Sequence, residues 1–370
     1  MNPEYHRVVV KLGTSTLTAG TAHLSPPRIL DLVRQMAELQ TSGVEVILVT
    51  SGAITAGRER LNFPQLSKNI PEKQMLSAVG QPRLMALYEQ LFGLYGIVVS
   101  QVLLTRADMT LRKSYLNSRN TLLALINQKV IPIVNENDTV ATEEIRVGDN
   151  DNLSALVANV VEADLLALLT DQSGLFTADP RQSPEVELIP EITGKNIPEE
   201  IWQAAGGTVK GIGTGGMLTK LQAADLARRS GTKVVIARGS SPDILLKIVH
   251  GEQVGTMFTP VVTALEARKR YILAGGNAVG TLYADLGAVN AIIHGKSLLP
   301  VGLSKIEGVF DRGDIVRVNG QDGREIAIGL VNYSSEDLSQ LAGKQSMEIE
   351  KILGYAYGEE VIHRNNMVLL

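Results

Sequence analysis

The chain has 370 residues, is 44% hydrophobic and 20% charged, and carries a formal net charge of −4. This is an ordinary globular composition, long enough for two domains, and its mildly acidic balance argues against a dedicated nucleic-acid binder. The absence of cysteine rules out a disulfide framework, a thiolate nucleophile and a thiolate metal site, and it fits a reducing, cytoplasmic setting.

The opening MNPEYHRVVVKLG holds too short an apolar run for a signal peptide and leads straight into a core strand at Arg7–Lys11. A helix follows over Ser25–Ser42, with Ser25 as N-cap, Pro26 at its first position and Gly43 ending it. Val44–Thr50 reads as the second strand. Helices near Glu72–Leu94 and Tyr115–Gln128 lead to strands at Ile97–Leu104 and Val130–Val134. A helix from near Asn152 feeds a strand at Leu165–Leu169, and one from near Gly216 feeds Val234–Ala237. Continuously apolar strands alternating with helices predict an α/β fold, a mostly parallel sheet sandwiched by helices. Ligands then bind beyond the carboxyl ends of the strands.

After Gly255 the pattern changes. Short glycine-punctuated runs at Gly280–Tyr283, Ala291–His294, Asp314–Val318 and Glu325–Gly329 read as strands of a small β-rich barrel of about a hundred residues. The expected division is 1–258 for the large domain, 259–268 for a linker and 269–370 for the small domain. No stretch approaches the about 20 apolar residues of a spanning helix, so no membrane association is expected.

The polar groups gather at the predicted strand ends. Lys11 is followed by Gly13-Thr14-Ser15-Thr16, one cation with backbone and hydroxyl donors, as a polyphosphate requires. Taken alone, this could equally be a surface lysine before a polar turn. Thr50-Ser51-Gly52 again sets small donors where a ligand could approach the backbone. Asn135-Glu136-Asn137-Asp138 follows the strand IPIV, and Gly148-Asp149-Asn150-Asp151-Asn152 comes soon after. Two aspartates and two asparagines in succession exceed what capping a helix needs. They suit a polar site compatible with Mg²⁺, which takes one or two carboxylates and completes its shell with water and phosphate. Thr170-Asp171 ends the next strand. Gly211–Gly216 matches G-x-G-x-x-G, but no strand directly precedes it and no acid follows at the required distance, so a dinucleotide fingerprint is not met. A glycine loop opening a helix that carries Lys220 remains, and that is a phosphate site.

Two lysines, glycine-rich donors, several carboxylates and no clustered histidine fit phosphoryl transfer, which needs charge neutralisation and in-line positioning. The five histidines (His6, His23, His250, His294, His363) have no metal-ligand spacing. A carboxylate acceptor would need no general base, because with a pKa of about 4 it is already ionised. An aspartate could equally serve as base for a hydroxyl acceptor, so the residues alone leave the acceptor open.

KLGTS at Lys11–Ser15, VTSGAI at Val49–Ile54, LLTRADM at Leu103–Met109, NEND at Asn135–Asp138, VGDNDNLSA at Val147–Ala155, LLTDQSGLFTADPR at Leu168–Arg181 and GTGGMLTKLQAA at Gly213–Ala224 together resemble the glutamate 5-kinase branch of the amino acid kinase family. The tail from about Lys269 to His363 resembles a PUA domain. The resemblance implies ATP-dependent phosphorylation of the γ-carboxylate of L-glutamate, the first step of proline biosynthesis. It implies Lys11 and Lys220 on the transferring phosphates, with Asp151 orienting both. It assigns Ser51, Gly52, Asn135, Asp138 and Asn150 to glutamate, and Lys11, Thr170, Asp171 and Thr214-Gly215-Gly216-Met217-Leu218-Thr219-Lys220 to ATP. Mg²⁺ would be carried through the phosphates, with Asp149 or Asp151 as candidate protein ligands. The resemblance further implies proline as feedback inhibitor, a glutamyl phosphate reductase as partner and a homo-oligomer, members forming dimers and tetramers.

Two rival readings stand beside this one. One is another member of the same family, acting on acetylglutamate or aspartate, against which KLGTS and the PUA-like tail both argue. The other is an RNA-associated protein acting through the tail. Residues 266–370 hold 11 Lys or Arg against 13 Asp or Glu, which is not the electrostatic footprint of a nucleic-acid surface.

Overall fold

The computed structural model describes residues 3–66, 69–141, 150–178, 186–206, 216–263, 266 and 278–370. Contacts divide the chain into two units, Met1–Thr110 with Thr121–Thr263, and Leu111–Asn120 with Ala264–Leu370.

The first unit is built on an eight-stranded sheet. Its strands are β1 (Arg7–Leu12), β2 (Glu45–Thr50), β3 (Val99–Leu104), β4 (Ile131–Glu136), β5 (Leu165–Thr170), β6 (Glu191–Ile192), β7 (Lys233–Arg238) and β8 (Thr256–Phe258), in the order β3-β4-β2-β1-β5-β7-β8-β6. The first six in that order run parallel. β8 turns antiparallel against β7, and β6 pairs parallel to β8. β1 is rich in β-branched residues and buried on both faces, as a central parallel strand must be. The register sets the carboxyl ends level: Lys11 pairs with Val49 and Leu168, Leu12 with Thr50 and Leu169, and Thr170 with Arg238.

The helices that position the site follow from local chemistry. Pro26–Thr41 begins on prolines and is followed by Gly43 at φ +94°. Ser25 occupies its N-cap position in extended backbone, but its side chain makes no capping bond, contrary to expectation. Ile70–Gly93 is capped by Asn69, whose side chain accepts from the Glu72 amide at 2.9 Å. It packs closely on Ala53–Arg60. A Cβ at Gly80 would lie 1.8 Å from the Ala53 carbonyl oxygen, and one at Gly57 would lie 1.9 Å from that of Leu76. Only glycine permits that approach, and it brings Ser77 and Gln81 beside the end of β4.

The second unit contains a five-stranded sheet, β10-β9-β11-β12-β13, formed by β9 (Gly280–Ala284), β10 (Leu303–Gly308), β11 (Ile315–Gly320), β12 (Glu325–Leu330) and β13 (Met367–Leu369). Leu282, Val316, Val318, Ala327, Tyr333 and Leu338 are buried in its core. Ala291–His294 is not a strand: residues 291–293 close the helix Leu286–Ile293, and His294 caps it. Asp285 starts that helix by accepting from the Ala288 amide at 2.7 Å, and a four-residue apolar run cannot by itself separate strand from buried helix.

Candidate active site

Lys11, near the carboxyl end of β1, places its Nζ 2.5 Å from Asp151 Oδ1. Lys220, in the first turn of the helix Met217–Arg229, places its Nζ 3.1 Å from Asp151 Oδ2. Thr219 Oγ1 donates to that same oxygen at 2.6 Å. Asp151 is fully buried in the first turn of the helix Asn150–Val161, and both lysines are nearly so. Burial raises the Asp151 carboxyl, but the charges of Lys11 and Lys220, with hydrogen bonds from Lys11 and Thr219, outweigh it and hold the pKa at about 2. One buried carboxylate thus fixes two ammonium groups that approach from different elements.

A second cluster lies at the ends of β2 and β4. Asn150 Nδ2 donates to Ser51 Oγ and to Asn135 Oδ1, each at 3.1 Å. Asn135 Nδ2 donates to Gln81 Oε1 at 2.8 Å, and Gln81 Nε2 to Gln101 Oε1 at 3.2 Å. Ser77 Oγ donates to Asp138 Oδ2 at 2.5 Å. Burial pushes the Asp138 carboxyl above the usual range, and the Ser77 bond opposes this. Asn135 and Glu136 belong to β4 and are buried, so they form part of the strand rather than a turn beyond it. Gly52 begins the helix Ala53–Arg60 at φ +99°, a conformation that glycine adopts without strain.

The other sequence-derived residues are placed as follows. Thr170 is buried at the end of β5 and donates to Asp171 Oδ1 at 3.0 Å, while Asp171 is exposed. Gly216 caps the helix that carries Met217, Leu218, Thr219 and Lys220. Thr214, Gly215 and Asp149 lie outside the described residues. Overlapping the end of KLGTS, Thr14–Thr18 forms a short helix, and Thr16 turns inward to donate to the Leu169 carbonyl at 3.3 Å.

Sequence reasoning missed two sets of residues. A cleft of about 250 Å³ beside Gly216 and Met217 is lined in part by Leu175, Phe176, Ile201 and Ala204. Ile201 and Ala204 lie in a short helix outside the motifs, while Leu175 and Phe176 fall within LLTDQSGLFTADPR as apolar residues with no role of their own assigned. Ser77, Gln81 and Gln101 were missed because polar residues at these spacings resemble a solvated face.

Two lysines meet on one buried carboxylate at the mouth of a parallel sheet, a charge arrangement able to receive a polyphosphate. The chain belongs to the amino acid kinase family, whose model matches residues 6–238, and a PUA domain model matches residues 280–353. It is 55% identical to a glutamate 5-kinase of Shewanella amazonensis over 99% of this chain and 96% of that protein. It is 53% identical to one of Photobacterium profundum over 100% and 97%, and 54% identical to one of Vibrio campbellii over 98% and 96%.

Proposed function

We propose that the enzyme transfers the γ-phosphoryl group of ATP to the γ-carboxylate of L-glutamate, giving ADP and L-glutamyl 5-phosphate, as the first step of proline biosynthesis. The observation that carries the reading is the convergence of Lys11 and Lys220 on buried Asp151. The relatives named glutamate 5-kinase supply the acceptor.

In this reaction a carboxylate oxygen forms a bond to the γ-phosphorus while the bond to the β,γ-bridging oxygen breaks. No proton need be removed, since the acceptor is ionised at neutral pH. What the site must supply is positive charge on the transferring group and a fixed line of approach. Lys11 and Lys220 supply the charge, and Asp151 holds their ammonium groups in place. Ser51, with Gly52 beside it, offers its hydroxyl hydrogen to a substrate carboxylate, and Asp138 offers its carboxylate to the α-ammonium. Asn135 Oδ1 already accepts from Asn150 and from the Glu136 amide at 2.9 Å, so Asn135 acts through Asn150. Thr170, Asp171 and the segment from Thr214 to Lys220 hold ATP, with its base directed to the cleft beside Met217.

Mg²⁺ is assigned to the phosphates. Both Asp151 oxygens face ammonium groups, which disfavours a cation there. Among the described residues no group of three or more acidic or histidine side chains could hold a metal. Carried on phosphate oxygens and water, Mg²⁺ would neutralise charge on the polyphosphate.

The same reading makes residues 1–258 the kinase domain, 259–268 a linker and 269–370 a PUA-like domain. It places the enzyme in the cytoplasm as a homo-oligomer, with proline as feedback inhibitor and a glutamyl phosphate reductase receiving the labile product. The family resemblance supports these assignments. Among the described residues no helix is long and apolar enough to cross a membrane.

The test is Mg·ATP-dependent ADP release with glutamate, aspartate or N-acetylglutamate as sole acceptor. Release with glutamate alone is expected. Release with either of the others and none with glutamate would transfer the enzyme to another branch of the family.

A further inference from the structure

The chain of amides running from the site to the sheet edge has a single sense. Asn150 donates to Asn135, Asn135 to Gln81 and Gln81 to Gln101. Its orientation is set by the Glu136 peptide N–H, which can bond only the oxygen of the Asn135 amide, at 2.9 Å. With Asn135 so fixed, Asn150 must turn its NH₂ toward Asn135 and Ser51. Its Oδ1 is then left buried, with no hydrogen-bond partner among the described residues. A buried acceptor without a donor costs about 1–3 kcal/mol, so a donor from a ligand is favoured there.

We infer that Gln81 is a positioning residue which, through Asn135, holds the Asn150 carboxamide with its oxygen toward the substrate, so that the site demands a primary ammonium group. This inference rests on the glutamate reading. At neutral pH the ammonium is the sole hydrogen donor on that substrate, since both carboxylates are ionised. Asn150 Oδ1 and the Asp138 carboxylate then form its acceptor pair, while Ser51 faces a carboxylate. Gln81 is 8% exposed and Asn135 1%. Removing the Gln81 acceptor strands the Asn135 NH₂ in the interior, and the Asn135 amide, still held at its oxygen by the Glu136 N–H, loses its second anchor.

Gln81→Met removes the acceptor with little change of shape, whereas Gln81→Glu keeps it. The KM for glutamate should rise about tenfold in Gln81→Met, as expected for weakening one hydrogen bond to a charged group, with kcat within about twofold. The inhibition constant of glutarate, which has both carboxylates and no ammonium, should not move. Gln81→Glu should stay within about threefold of wild type. Equal effects of the two substitutions, or a glutarate constant that shifts with the KM, would overturn the inference. If Gln81→Met does not fold, Gln101→Leu at an exposed strand position carries the test. A KM raised about threefold with glutarate unaffected supports the relay, and an unchanged KM refutes it. A wild-type enzyme that binds glutamate without turning it over refutes the catalytic reading alone, because the same comparison can be made with dissociation constants.

Discussion

Lys11 and Asp151 meet at 2.5 Å, nitrogen to oxygen, with Lys11 4% and Asp151 0% exposed. Lys220 completes the arrangement from the opposite oxygen. Asp151→Asn keeps the shape and removes the charge, leaving two buried cations facing a neutral amide. Loss of one partner from a buried pair costs about 3–5 kcal/mol, so a loss of about 3 kcal/mol is expected by urea denaturation at pH 7. The sign of the pH dependence follows from the depressed carboxyl. Its folded pKa of about 2 lies below the ordinary 3.8, so its contribution is complete above pH 4 and disappears as pH falls through 2. The stability gap between wild type and Asp151→Asn should therefore close on acidification below pH 4, and a gap that widens there contradicts the assignment.

Asp138 titrates in the opposite sense. Burial raises its carboxyl above the usual range, and the Ser77 hydrogen bond pulls it partly back. Only the ionised form pairs with an ammonium, so glutamate affinity should fall as pH drops through this raised value. Ser77→Ala removes the downward pull. The acid limb of kcat/KM for glutamate should then move to higher pH, as measured from full pH profiles of both proteins. A limb that stays in place or moves lower would separate Ser77 from Asp138.

The close approach of Ala53–Arg60 to Ile70–Gly93 can be tested at Gly80. An added methyl would meet the Ala53 carbonyl oxygen at 1.8 Å, and backbone cannot yield as a flexible side chain can. Gly80→Ala should cost at least about 2 kcal/mol and lower the thermal transition of the larger unit by roughly 4–8 °C, by calorimetry. Because Gly80 sits between Ser77 and Gln81, the KM for glutamate should rise as well. Normal stability would mean that the helices part easily.

Much of this arrangement was legible in the sequence, and the limits have physical causes. The central strands were readable because both faces are buried, which makes runs such as VVV and LLALL continuously apolar. The short elements Thr14–Thr18, Ala53–Arg60, Glu191–Ile192, Ile244–Val249 and Thr256–Phe258 were not read, since a few residues are too short to establish a period. Ala291–His294 failed for the same reason. Within the site, Lys11, Asp151 and Lys220 are far apart in the chain; the strand-end rule gathers lysines and carboxylates into one set, and only the resemblance pairs both lysines with Asp151. Gln81 and Ser77 gave no signal at all, because a helical glutamine or serine looks the same whether it faces water or a buried asparagine.

Phosphorylation of the γ-carboxylate of glutamate gives an acyl phosphate that can be trapped directly. Wild-type enzyme incubated with Mg·ATP, glutamate and hydroxylamine should form γ-glutamyl hydroxamate in step with ADP release, and should form none when glutamate is replaced by aspartate or N-acetylglutamate. ADP release without hydroxamate, or hydroxamate from another acceptor alone, would contradict the account.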